Sequence, residues 1–170
     1  LRRLLRAFRE YLNRSENPHP LVLAGGKGWM EEELETFIIE LGLNDSVLIT
    51  GYVSDEKLCW LYENCFAFIY PSLYEGFGLP VLEALGFGAA VITSNTTSLP
   101  EVAGEAALYV DPLNVSDMAT AILMLGVKND YREKLRQKAV LRAREFSWQR
   151  TAQEILHIYE QVMHTPKFCQ

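Results

Sequence analysis

Paired cysteines, paired aspartates and long apolar runs are all missing from this sequence. Its three cysteines, Cys59, Cys65 and Cys169, are odd in number and form no CxxC pair, which argues against a disulfide framework and against a thiolate zinc or redox motif. A reducing, cytoplasmic setting is expected, with Cys59 and Cys65 packed as small hydrophobes in the apolar stretch CWLYENCFAFIY. No D-x-D pair occurs, so a divalent cation has no obvious carboxylate anchor and no metal site is expected. No apolar run approaches the roughly 20 residues of a membrane-spanning helix. The opening LRRLLRAFREYLNR has neither an initiator methionine nor a signal-peptide apolar block, so the chain reads as a fragment. Basic charge is also scarce. Lys and Arg total 16 against 22 Asp and Glu, for a net charge of -6, which disfavours binding a nucleic-acid backbone through counterion release.

The segment Gly25-Gly26-Lys27-Gly28 falls short of two phosphate-binding patterns. Lys27 is not followed by Ser or Thr, and Glu31 stands three positions after Gly28, so neither GxxxxGK[ST] nor GxGxxG is met. Gly25 or Lys27 either touches a nucleotide or belongs to a plain strand-to-helix turn. His19, His157 and His164 are scattered and suggest no nucleophile triad.

What is present is the composition of one globular domain spanning 1–170, with 49% hydrophobic residues. Leu1, Leu4, Leu5, Phe8, Tyr11 and Leu12 recur at helical spacing, with Arg2, Arg6 and Arg9 on another side. That basic stripe suits anionic lipid heads or an ordinary solvated helix face, the second being the simpler reading. Short apolar strands are expected at 21–24, 47–50, 66–70, 89–93 and 107–110. Helices are expected over EEELETFIIELGL, after an N-cap at Ser54, over about 80–86, from Val115 and Tyr131, and at 147–163. Trp60, Tyr62, Phe66 and Phe68 read as core aromatics. The alternation predicts an α/β fold: a doubly wound, mostly parallel sheet with helices on both faces. In the strand order 3-2-1-4-5-6 the first strand is central. Here a helix comes first, so either that strand is absent or the sheet has an unusual gap between its second and fourth strands.

The segment Tyr74-Glu75-Gly76-Phe77-Gly78-Leu79-Pro80-Val81-Leu82-Glu83 carries the most chemistry. It follows an apolar strand and so belongs at the carboxyl end of the sheet, where open α/β folds bind ligands. Gly76 and Gly78 let the backbone approach a ligand, and Pro80 opens a helix where its missing N–H costs nothing. Unpaired amides at a helix start suit a diphosphate that gains negative charge as a bond breaks. Glu75 and Glu83 are acceptors that can grip vicinal sugar hydroxyls on two rings. Alternatively, Glu83 complements the helix dipole and Glu75 solubilises the loop. Ser94 to Ser98 stands at the crevice edge, where it can meet a ligand or, at Ser98, cap the helix around Pro100.

The E-x7-E spacing around GFGLPVLEAL, preceded by YPSLY, closely resembles the signature of glycosyltransferase family four. Further likeness lies in LVLAGGKGW, ITGYVSDEKL, AAVITSNTTSLPEVAGEAALYVDP and FSWQRTAQEILHIYEQV. The resemblance implies the donor-binding, Rossmann-like half of a retaining GT-B enzyme and is nearest to mannosyltransferases that use GDP-mannose. It implies that Glu75 meets the donor sugar, that the amides of Gly76, Phe77, Gly78 and Leu79 meet sugar and phosphate, and that Glu83 binds the ribose. Val53 would lie against the base, with Asp55 nearby. No cofactor is implied beyond the nucleotide-sugar donor. The acceptor, a glycan or lipid-linked glycan, would be bound by an absent N-terminal domain, with peripheral association of the full-length enzyme at the inner face of the membrane. A basic Arg and Lys pair of the family precedes the start of this chain, so weak donor binding and no transfer are expected in isolation. Two rivals stand beside this reading. A non-catalytic sugar-nucleotide-binding or scaffold protein would lack that basic pair in the parent gene, and a GT-B epimerase would change the sugar without an acceptor.

Overall fold

Short apolar strands alternate with helices because each run of four or five β-branched and apolar residues is closed by a turn before a helical pattern begins. The computed structural model describes residues 1–26 and 31–164. Its strands are β1 (Leu21–Ala24), β2 (Val47–Gly51), β3 (Phe68–Tyr70), β4 (Val91–Ser94) and β5 (Ala107–Val110). The helices are α1 (Arg2–Arg14), α2 (Glu31–Glu40), α3 (Asp55–Asn64), α4 (Leu79–Gly86), α5 (Leu99–Ala103), α6 (Val115–Val127), α7 (Asn129–Ala143) and α8 (Trp148–His164), with a 3-10 turn at Gly104–Ala106. The expected elements are present, with shifted ends. The strand placed at 66–70 begins at Phe68, and the helix placed from Tyr131 begins at Asn129.

All strand pairs are parallel: β1 with β2, β3 with β4, and β4 with β5. Among the described residues they form two sheets, β1-β2 and β3-β4-β5. β1 and β3 share no ladder, which agrees with either expectation, an absent central strand or a gap in the sheet. One apolar cluster nevertheless runs through both sheets, joining Leu21 and Leu23 to Ile92 and Val110, with α1 and α6 over it. A second cluster, built from α4, α5, Tyr62 and Val91, covers the other face. β4 therefore alternates Ala90 and Ile92 to one side and Ala89 and Val91 to the other, the double burial that makes a parallel strand apolar throughout.

α1 follows from its pattern, burying Leu4, Leu5, Ala7, Phe8 and Tyr11. Its arginines Arg2, Arg6 and Arg9 lie on the exposed face, as the solvated reading expects, and they also meet neighbours there. Arg9 donates to the carbonyls of Leu41 and Gly42 just past α2, Arg2 pairs with Glu33 at 3.0 Å, and Arg2 and Arg6 lie over the Phe37 ring. The guanidinium groups complement the carbonyl end of a neighbouring helix and an aromatic face. Trp60 departs from its expected place: it is 61% exposed, because it sits on the outer side of α3 while Tyr62 turns inward. Tyr62, Phe66 and Phe68 do pack in the core clusters. No helix of the described residues is long and apolar enough to cross a membrane.

Ile92 is 0% exposed at the centre of the three-stranded sheet. Ile92→Ala should lower stability by about 2–5 kcal/mol, since it removes three buried carbons and leaves a cavity. Denaturant unfolding with an unchanged slope would register this as a lower midpoint.

Candidate functional site

β3 ends at Tyr70 and α4 begins at Leu79, and the eight residues between them are tied to the end of β4 by hydroxyl groups. Thr93 and Ser94 are fully buried at the carboxyl end of β4, and buried hydroxyls need partners. Thr93 Oγ1 donates to the Tyr70 carbonyl at 3.0 Å, and Ser94 Oγ to the Ser72 carbonyl at 2.6 Å. Past the strand, the Glu75 amide donates to Thr97 Oγ1 at 3.2 Å. Ser98 Oγ lies 3.0 Å from the Glu75 carbonyl and 2.9 Å from the Phe77 carbonyl. The loop is thus pinned along its length rather than left to find its own shape.

For Ser98 the sequence leaves two roles open, contact with a ligand or capping of the helix around Pro100. Ser98 stands at the N-cap of α5, but its backbone is already helical at φ -80° and its side chain makes no cap bond. Its hydroxyl is spent on the Glu75 loop instead. Thr97 has φ 55°, and a β-branched residue in this left-handed region costs on the order of 1–3 kcal/mol. Thr96 Oγ1 is buried without a hydrogen-bond partner. The segment that grips the loop therefore holds conformations the chain does not otherwise favour.

The two carboxylates each accept from a tyrosine. Tyr70 Oη donates to Glu75 Oε1 at 2.7 Å, and Tyr62 Oη to Glu83 Oε2 at 3.2 Å. Tyr62 stands edge-on to Phe68 at 5.2 Å between ring centroids, and Phe68 stacks on Tyr70 at 5.9 Å. One aromatic row thus links the two tyrosine–glutamate pairs along a single side of β3. Burial, then the hydrogen bond to Glu75, pushes the Tyr70 phenol up to about 12. Burial followed by the Glu83 charge moves the Tyr62 phenol in the same direction. Both hydroxyls stay protonated donors at neutral pH.

The glycines of the loop have different reasons to be glycine. Gly78 is buried at φ 102°, and a Cβ there would lie 2.6 Å from Leu99 Cδ2. It is the N-cap of α4, with no side-chain cap and no acidic residue in the first turn. Gly76 is exposed, its φ is not left-handed, and a Cβ there would meet nothing within 4 Å. The chain's own packing makes no demand for glycine at 76. Phe77 and Leu79 are exposed at 40% and 45%, unusual for large apolar side chains next to an uncapped helix start. Pro80, in the first turn of α4, lacks an N–H to be satisfied.

The other candidates lie at the ends of β1 and β2. The Gly25 amide donates to the Gly51 carbonyl at 3.0 Å, so that amide extends the β1–β2 pairing. Val53 is half-buried just before Ser54, which caps α3 by accepting from the Lys57 amide at 3.4 Å. Lys27 lies outside the described residues. Two shallow surface recesses occur elsewhere, one lined by Arg2, Glu33, Thr36, Phe37 and Glu40, the other by residues 127–131 and 134. Neither includes a residue of the Glu75 loop, which lies on an open surface at the carboxyl end of β3.

The profile of the family described as Glycosyl transferases group 1 matches residues 1–142. The chain belongs to the group 1 glycosyl transferases. This glycosyl transferase chain is 37% identical over 161 residues to O-antigen chain mannosyltransferase B of Escherichia coli, covering 94% of the chain and 42% of that protein. It is 33% identical over 170 residues to D-inositol 3-phosphate glycosyltransferase of Corynebacterium jeikeium, covering 94% of the chain and 40% of that protein. The chain thus spans about two fifths of the length of these relatives. In fold it is similar to sucrose-phosphate synthase from Thermosynechococcus elongatus, with a TM-score of 0.82 at 24% identity over 97% of the chain and 43% of that structure. It is also similar to Anabaena Alr3699/HepE in complex with UDP and glucose, with a TM-score of 0.79 at 19% identity over 91% of the chain and 44% of that structure. The fold is the Rossmann-like half of a GT-B glycosyl transferase.

Sequence reasoning named Glu75 and Glu83 but missed Tyr70, Thr97 and the hydroxyl of Tyr62 as their partners. The one available signal was the polar run SNTTS after an otherwise apolar strand.

Gly78→Ala should destabilise the protein by about 1–3 kcal/mol, since it combines a left-handed φ with contact against Leu99; thermal unfolding would report it. Tyr70 also leaves a pH signature. Its pKa in the folded protein exceeds the ordinary phenol value near 10, so the stability linked to keeping this phenol protonated, through burial first and the Glu75 bond second, is complete below that value and is lost as pH rises through about 12. In a phenolate absorbance titration, Tyr70→Phe should remove a late-titrating group; if it removed an ordinary one, the Tyr70–Glu75 bond would be contradicted.

Proposed function

We propose that this chain is the donor-binding part of a retaining mannosyltransferase that takes GDP-mannose and transfers mannose to a hydroxyl of a glycan or lipid-linked glycan. The observation that carries the reading is a Glu75 carboxylate held by Tyr70, three residues before the uncapped start of α4 at Gly78. Tyr70 occupies Glu75 Oε1, which fixes the carboxylate while Oε2 is directed by the same rigid group. An ionised carboxylate accepts only, so this oxygen suits donation from a sugar hydroxyl. The adjacent first turn of α4 has neither a side-chain cap nor an acidic residue, so its partial positive charge is left for an anion. As the bond between sugar and diphosphate breaks, charge grows on the leaving diphosphate, and fixed amides stabilise it without reorganising. The openness around Gly76 fits a backbone that a ligand approaches closely.

Glu83, half a row away beside Tyr62, serves the ribose hydroxyls in this reading, and Val53 borders the base. Gly25 contributes through the close approach of its backbone, and Lys27 through its charge. No resident metal or cofactor takes part; the nucleotide sugar is a substrate. The choice of mannose is supported by the mannosyltransferases among the relatives, including serotype-specific mannosyltransferase WbdA of Escherichia coli, 39% identical over 138 residues. The protein works at the cytoplasmic side, with any membrane association peripheral.

Two substitutions in the full-length protein test the assignment. Glu75→Ala should reduce turnover by about 100-fold or more, on the order of 3 kcal/mol, as expected for a charged hydrogen bond made at the reacting sugar; wild-type turnover would remove Glu75 from its role. Glu83→Ala should weaken GDP binding by about tenfold, measured by calorimetry, with UDP and UDP-glucose as the competing arms. Tighter binding of the uridine ligands would replace GDP-mannose as the donor.

A further inference from the structure

The Ser98 hydroxyl faces two carbonyls of the Glu75 loop, at 3.0 Å from Glu75 O and 2.9 Å from Phe77 O. A trans peptide is planar, and its C=O and N–H point in opposite directions. Holding the Glu75 carbonyl toward Ser98 therefore turns the Gly76 N–H away from Ser98, and Gly76 is exposed with open space about its Cα. The same side of the loop is held by the Glu75 amide bond to Thr97 Oγ1, while Tyr70 fixes the carboxylate. Glu75 is thus held at its N–H, its C=O and its side chain by Thr97 and Ser98 of the β4–α5 turn and by Tyr70 of β3.

Resting on the reading of Glu75 as the donor-sugar contact, we propose that Ser98 is a positioning residue that aims the Gly76 amide at the transferred sugar, with Thr97 and Tyr70 holding Glu75 in register beside it. A single hydroxyl proton serves both carbonyls, so Ser98 also fixes the spacing between the peptide planes that follow Glu75 and Phe77. The left-handed Thr97 directly precedes Ser98, and both hydroxyls meet the loop. In this arrangement Ser98 never touches the donor. Its effect passes through an amide direction and is felt by the sugar nucleotide but not by the nucleotide alone.

The test uses the full-length protein and four variants: Ser98→Ala, Ser98→Thr, Tyr70→Phe and Glu75→Ala. Ser98→Ala should lower kcat by about tenfold or more, the scale of one lost hydrogen bond to a charged or developing-charge group, with affinity for free GDP within about twofold of wild type. Ser98→Thr keeps the hydroxyl and should recover most of the loss, which a packing role would not require. If Glu75→Ala is inactive while folded Ser98→Ala and Tyr70→Phe turn over like wild type, the positioning role is overturned and the Glu75 reading survives. If Ser98→Ala loses GDP affinity and turnover together, the loop has collapsed and the specific role is overturned as well. Should Ser98→Ala not fold, Tyr70→Phe decides: a lowered kcat with GDP affinity kept supports the held-loop arrangement, and unchanged kcat overturns it. Wild-type turnover in Glu75→Ala would instead sink the underlying reading.

Discussion

Hydroxyl-to-backbone hydrogen bonds between the end of β4 and the crossing loop set the geometry of everything that follows. Thr93 and Ser94 are buried in an otherwise apolar sheet, where a hydroxyl without a partner would cost on the order of 1–3 kcal/mol. Each finds a carbonyl of the segment that leaves β3. That requirement ties the loop to the sheet before any ligand is considered. Thr97 and Ser98 then continue the same device past the strand, so the loop inherits the rigidity of β4. A site made on a loop is ordinarily loose; this one is built as an extension of a central strand.

The acids depend on this frame in turn. Glu75 and Glu83 sit on different elements, yet the row Tyr62, Phe68 and Tyr70 gives each a phenol donor on one side of β3. The phenols resist ionisation, so they remain donors across the neutral range and bias both carboxylates toward acceptance. The arrangement locates charge without neutralising it. An arginine in the same positions would have consumed the carboxylates in ion pairs; a tyrosine takes one oxygen and leaves the formal charge in place.

Much of the fold could be read from residue order, because parallel α/β units announce themselves in short apolar runs separated by helical patterns. The break in pairing between β1 and β3 was legible as one of two alternatives, a gap or an absent strand, from a helix standing where a strand is expected. Glu75, Glu83 and the two glycines stood out because loop chemistry is local in sequence. Their partners did not, because Glu75 to Thr97 and Tyr62 to Glu83 are contacts between segments more than 20 residues apart that only the fold brings together. Trp60 was misplaced for a related reason: ten residues of α3 carry too weak a pattern to say which aromatic turns inward, and Tyr62 takes the core. The arginines of α1 likewise found helix-end carbonyls and a phenyl ring that no periodicity reveals.

α8 has a thermodynamic consequence of its own. Residues 148–163 are all exposed, including Ile155, Leu156, Ile158, Tyr159 and Val162. A helix of this length with no buried face gains little beyond its own backbone bonds and a few side-chain pairs such as Arg150 with Glu154, and isolated helices near 15 residues are marginal in water. Its amides should therefore open and close with a free energy near zero while those of β4 wait for global unfolding. Among the described residues, local stability thus runs from a strand that opens last to a helix that buries no face of its own.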